Sequence, residues 1–143
     1  MAITQAMATS FKVQLLNGQQ NFSANTFKLA LYTSSATINE NTTAYSATNE
    51  VASTGNYSAG GNTLTVSVTP TNSGNVAYIS FANTSWANST ITAAGALIYN
   101  NSQSNSAVYV LSFGGDKTST NGTFAVNFPT ADASNAIIRL TAS

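Results

Sequence analysis

"AVYVLSFGGDKTSTNGTFAVNFP", residues 107–129, decides the fold. Tyr109, Leu111 and Phe113 alternate with Val108, Val110 and Ser112, and Phe124, Val126 and Phe128 alternate again further on. A period of two places successive side chains on opposite faces of a strand. Gly114-Gly115-Asp116-Lys117 stands between the two runs and has the composition of a tight turn. The stretch therefore predicts two strands and a reversal, a hairpin over 107–128.

The same period recurs on both sides. "TFKLALYT" (26–33) sets Phe27, Leu29 and Leu31 on one face. "NTLTVSVTP" (62–70) turns Leu64, Val66 and Val68 inward and Thr63, Thr65, Ser67 and Thr69 outward, with Pro70 expected to end the strand. The turn "TNSGN" follows, then "VAYISFA" (76–82), Trp86 after a short link, a strand around 94–99 inside "TITAAGALIYN", and "NAIIRLTA" (135–142) as the last strand. Strands at such spacing suggest a sandwich, jelly roll or barrel. The expectation is an all-β chain, an antiparallel, jelly-roll-like sandwich in one domain over 1–143, with Leu64, Val66, Val68, Leu111, Phe124, Val126 and Phe128 buried.

Two segments lie outside that pattern. Residues 1–22 read as an N-terminal helix or arm. Ile3, Ala6, Met7, Phe11 and Leu15 are spaced by three or four, which predicts a short amphipathic helix over 3–16, ended by Asn17-Gly18 with the glycine in the left-handed C′ position. Residues 34–61 have few strong apolar positions and read as a long loop, an uncommon feature inside a compact domain and often a functional one.

Composition narrows the chemistry. The chain has four basic and four acidic residues, no histidine and no cysteine. It offers no imidazole base, no thiolate ligand and no disulfide framework. The cations Lys12, Lys28, Lys117 and Arg139 are scattered, and nucleic-acid binding needs them clustered. No apolar run approaches the length of a membrane span, and no signal peptide is read at the N-terminus. Ser, Thr and Asn make up about 40% of the chain, far above ordinary globular usage. Recurring aromatic and aliphatic strand positions argue against disorder, so the hydroxyls and amides belong on strand faces and turns.

Few residues could carry catalysis. Glu40 and Glu50 are a carboxylate pair of the kind that hydrolyses glycosides at suitable separation, but both read more simply as loop charges, Glu50 capping or pairing locally. Asp116 and Lys117 occupy a turn without the sequence of a phosphate loop. Asp132, with Ser134 and Asn135, has too few carboxylates for calcium and reads as an Asx turn. No catalytic residue, cofactor or metal site is assigned, and the chain is expected not to be an enzyme. Phe27, Phe81, Phe113, Phe124 and Phe128 read as core. Trp86 is either a partly buried plug at the sandwich edge, the preferred reading, or an interface anchor. Arg139 faces solvent, pairs with an acid or meets another subunit. Tyr32, Tyr45 and Tyr57 flank or lie in the long loop and suit contacts. Tyr32, Tyr45, Glu50, Tyr57, Trp86 and Arg139 are thus the candidate partner-binding residues.

Nearly the whole chain resembles structural proteins of tailed bacteriophages. The likeness is carried by "FKLALYTSSA", "TTAYSATNEV", "GNYSAGG", "ITAAGALIYNNS" and "AVYVLSFGGDKTSTNGTFAVNFPTADASNAIIRL". It implies a virion protein, most closely a small capsid cement or decoration protein that binds the outer surface of the major capsid protein shell and stabilises it. The alternative is a tail, fibre or head-spike component, with host glycan as a possible ligand. The resemblance places the chain on the capsid exterior, made in the host bacterial cytoplasm; a homo-oligomer, dimer or trimer, is expected, and the scattered cations and short apolar runs argue against nucleic acid and membrane as partners. Residues 33–61 and the N-terminal residues before Ser23 are expected to make the attachment, because the strands turn their apolar faces to the core.

Overall fold

The structure is a computed structural model and describes residues 2–141. Its elements run β1 (Ala6–Met7), α1 (Thr9–Leu16), β2 (Phe27–Tyr32), β3 (Asn62–Thr63), β4 (Val66–Ser73), β5 (Val76–Phe81), β6 (Thr84–Asn100), β7 (Ser106–Val126) and β8 (Ile138–Thr141). Two antiparallel sheets form the sandwich, one in the order β1-β7-β6-β2-β3 and the other β4-β5-β8. Phenylalanines join them: Phe22 stacks on Phe27 with ring centroids 4.6 Å apart, and Phe81 of the smaller sheet packs at 5.9 Å from Phe27.

The stretch 107–129 does not reverse. β7 is one long strand paired to β6 from Asn100↔Ser106 to Thr84↔Val126. The register slips between Gly95↔Ser112 and Ala93↔Lys117, so residues 113–116 lie opposite Ala94 alone. Gly114 and Gly115, at φ 76° and 141°, bulge the strand outward. The expected hairpin is corrected to a strand with a bulge, and the true reversal is the β6–β7 turn, where Ser104 and Asn105 take positive φ. A glycine pair inside an alternating run serves either geometry. β6, at 17 residues, is long enough to pair with both halves.

Three boundaries also move. The expected helix over 3–16 begins only at Thr9. Ala6 and Met7 are extended and pair with Val110 and Tyr109 on the edge of β7, and Ile3 bridges Ile38 in parallel, because backbone groups on a sheet edge take a strand more readily than a marginal first turn. Within α1 only Phe11 is fully buried, while Val13 and Leu16 are exposed, so the amphipathic pattern is partial. Its C-terminus is as expected: Gly18 N–H donates to Leu15 O and Gln19 N–H to Gln14 O, with Gly18 at φ 74°, the Schellman arrangement. Pro70 does not end β4, which continues to Ser73. It sits in the register shift between Val68 and Thr71 on an edge strand, the place a sheet tolerates proline. The last strand starts at Ile138, and Ala142 of its expected span lies outside the described residues.

Leu64, Leu111, Phe124 and Val126 are buried as their alternation predicts. Val66, Phe113 and Phe128 are only partly buried against that core, and Val68 is half-buried on β4, which corrects the expectation for them. Residues 93–100 of β6 are buried without a break, so this strand is covered on both faces. Ile3 covers part of it by packing over Gly95.

Candidate functional site

Among the described residues, Glu50 is a half-buried carboxylate on which two tyrosine side chains and a backbone N–H converge. Its place is set by backbone bonds: Val51 N–H donates to Leu31 O at 2.9 Å, Thr33 N–H donates to Asn49 O at 3.0 Å, and Glu50 bridges Tyr32 at the end of β2. Tyr45 O–H donates to Glu50 Oε1 at 2.6 Å. Tyr57 O–H donates to Oε2 at 2.7 Å, and the Gly60 N–H donates to the same oxygen at 2.6 Å. Tyr57 Oη in turn accepts the Leu31 N–H at 2.9 Å. Tyr45 stacks on Tyr99 of β6 at 4.7 Å, and Tyr99 O–H donates to Gly60 O at 2.7 Å. Tyr32 O–H donates to Ser46 O at 2.6 Å.

The phenols feel this setting. Burial holds the hydroxyls of Tyr32, Tyr45 and Tyr57 protonated well beyond the usual tyrosine range, and the Glu50 charge adds to the effect. Burial and then Glu50 push Tyr99 up to about 12. Tyr45 and Tyr57, held neutral, donate to the carboxylate, so the cluster works as a clasp. It draws residues 45, 50, 57 and 60 to a single point.

The long segment 34–61 is therefore fastened to the sheet. It contains none of the named strands. Ala36, Ile38, Val51 and Tyr57 are nonetheless buried, and Tyr45 N–H and Ala107 N–H bond across to Asn105 O and Thr43 O. Beside the clasp, a groove of about 260 Å³ is lined by hydroxyl and apolar groups that include Tyr32, Ile38, Thr42 and Ser46.

Of the candidate contact residues, the fold gathers Tyr32, Tyr45, Glu50 and Tyr57 into this clasp and leaves Trp86 and Arg139 elsewhere. Tyr32, Tyr57 and Trp86 are 2%, 1% and 1% exposed, so their side chains lie inside the fold. Trp86 is a plug between Tyr57 and Phe124, with its indole N–H unpartnered. Arg139 is exposed and folds back to donate to Ser134 O and Ala136 O. Asp132 forms the expected Asx turn, accepting from the backbone N–H groups of Ser134 and Asn135. Bonds from the Asn135 side chain and the Ser134 backbone hold its carboxyl below the usual range. Glu40 is exposed, and its carbonyl accepts the Thr9 N–H at the start of α1.

A second polar cluster had no sequence signal beyond an asparagine closing an apolar strand. Asn100, fully buried, donates to Gln20 Oε1 at 2.7 Å and to Asn25 Oδ1 at 3.0 Å. Gln20 Nε2 donates to Gln14 Oε1 and Ser106 Oγ. These amides tie α1, the start of β7 and the end of β6 together. Family models, curated proteins and solved structures all give no match to this chain.

Proposed function

We propose that the chain is a structural protein of a tailed-phage virion, a cement or decoration protein that binds the outside of the major capsid protein shell. The observation that carries a structural rather than a catalytic reading is the use made of Glu50. Its oxygens are occupied by three donors from its own chain, so the carboxylate holds backbone segments together. Glu40 and Asp116 are exposed singly, and Asp132 is engaged in its turn. The resemblance of the long motifs to phage virion proteins supplies the setting.

A near-neutral surface of hydroxyls and amides supports this reading. Weak contacts on such a surface add when many copies bind a symmetric lattice. The exposed Val13 and Leu16 on α1 and Leu140 on β8 are the large apolar side chains still open to solvent among the described residues. They are where attachment would gain most from burial. The pinned state of 34–61 shifts emphasis away from a reaching loop.

The test is to mix purified protein with shells lacking it and count bound copies. Hundreds of copies per shell, with raised shell stability, are expected. A dozen or fewer copies in the virion would favour the tail or spike alternative. Absence from the particle would sink both.

A further inference from the structure

The clasp has a property that a merely packed loop lacks: one ionisable group serves three separate parts of the segment it holds. Tyr45, Tyr57 and Gly60 reach Glu50 from three points of 34–61, and Val51, next in sequence, bonds the segment to β2. The groups facing the carboxylate are Tyr45 and Tyr57 from its own segment, Tyr32 from β2 and Tyr99 from β6, with Lys28 Nζ beside Gly60. The phenols are donors held neutral by burial, and Glu50 is the acceptor on which Tyr45, Tyr57 and Gly60 meet.

We infer that Glu50 is a proton-operated latch, which holds 45–60 on the sheet when ionised and loosens that segment, ahead of the β core, when protonated. The chemistry follows from donor and acceptor counting. An ionised carboxylate accepts all three bonds with charge assistance, about twice the strength of neutral ones. Adding the proton makes all three neutral. It also places a donor on one oxygen. The Gly60 N–H cannot turn around, and Tyr57 already accepts from Leu31 N–H, so Oε2 stays the acceptor for these two. The proton goes to Oε1, and Tyr45 must reverse its hydroxyl to receive it. A glutamine at 50 reproduces this state, with its amide oxygen toward Tyr57 and Gly60 and its NH2 toward Tyr45. Units held by few bonds open below the global unfolding free energy, and 34–61 carries no sheet ladder of its own. Opening would uncover Tyr32 and Tyr99, a tyrosine face now hidden.

The experiment is amide hydrogen exchange on the intact chain, corrected for intrinsic rates, at about pH 7 and at about pH 3, below the ordinary carboxylate range. The amides of Tyr45 and Val51 report the segment; those of Leu97 and Ile98 report the core. In the wild type, acidification is expected to lower protection of the segment at least tenfold, roughly the loss of charge assistance in these bonds, with the core unchanged. Glu50→Gln should already be loosened at neutral pH and respond little to acid. Glu40→Gln, altering an exposed carboxylate, should behave as wild type. A Glu50→Gln segment as protected as wild type at neutral pH would overturn the inference. So would an equal acid response in both proteins, or loss of segment and core together, including outright unfolding of Glu50→Gln.

Discussion

Gly95 has no room for a β-carbon. One built there meets Leu111 O at 2.5 Å and Ile3 Cγ2 at 2.7 Å. Gly95→Ala is therefore expected to cost about 1–3 kcal/mol by overpacking in a denaturant titration, and an unchanged midpoint would contradict the close approach of Leu111 O and Ile3 to this position. Phe124, 6% exposed, should lose about 3–5 kcal/mol on truncation to alanine. Phe113→Ala should lose clearly less, since that ring is only partly buried. The tyrosines give a pH dependence with a definite sign. Phenols in the unfolded chain ionise near pH 10, while Tyr32, Tyr45, Tyr57 and Tyr99 hold their protons to higher pH when folded. Above about pH 10 the unfolded state binds fewer protons, so stability falls as pH rises. This contribution is complete below that point and is lost upward, with Tyr99 titrating in the folded chain at about 12. Denaturant midpoints that stay flat through the alkaline range would contradict the burial of these hydroxyls. Alternation in the sequence told which face each residue is on, which located Leu111 and Phe124, but not how deep that face lies, which is why Val66, Val68 and Phe128 are only half-covered. Glu50 carried no local mark of its role. Its donors stand five, seven and ten residues away, and only the folded path of the segment brings them to it.

β7 shows what a strand pattern can and cannot carry. Period two identified both of its halves as strands, and the glycine pair marked a break in regular pairing, yet neither says which strand lies alongside. In the structure both halves lie against β6, with Thr92 opposite Thr118 and their hydroxyls 3.2 Å apart. A reversal at 114–117 would instead fold Thr118 back towards Phe113. The two arrangements separate cleanly in a chain without cysteine: Thr92→Cys/Thr118→Cys should form an internal disulfide on oxidation with the fold retained, since directly opposed strand positions come within reach of a bridge. A doubly reduced protein under oxidising conditions would return the hairpin to favour. The N-terminal arm has a similar lesson. Spacings of three and four in 3–16 were real, but an eight-residue helix gains little from propensity alone. The open edge of β7 took Ala6 and Met7 into pairing instead. The Asn17-Gly18 stop was legible because it depends on local backbone geometry, whereas the start depended on a neighbour more than a hundred residues on.

Four positive and four negative charges on 143 residues leave the molecule with little electrostatic reach. Its stability rests on a two-sheet apolar core and on short-range polar clusters, the Glu50 clasp and the Gln20–Asn100 amides. Screening acts on exposed charges separated by more than a Debye length, and far less on partly buried contacts. Unfolding midpoints should accordingly change little between low and high sodium chloride. The same reasoning extends to the proposed attachment. If the chain binds a capsid shell through apolar and hydrogen-bonding surface such as the exposed Val13, Leu16 and Leu140, the contact should outlast salt. Washing decorated shells in about 1 M salt, where the Debye length is about 3 Å, should strip little protein. Leu16→Ser, which removes the most exposed leucine at 89%, should weaken decoration while leaving the unfolding midpoint nearly unchanged, as a surface substitution touches no core contact. Release of the protein by salt would point to Lys12, Lys28, Lys117 and Arg139 as the binding groups. Full decoration by Leu16→Ser would remove α1 from the attachment surface.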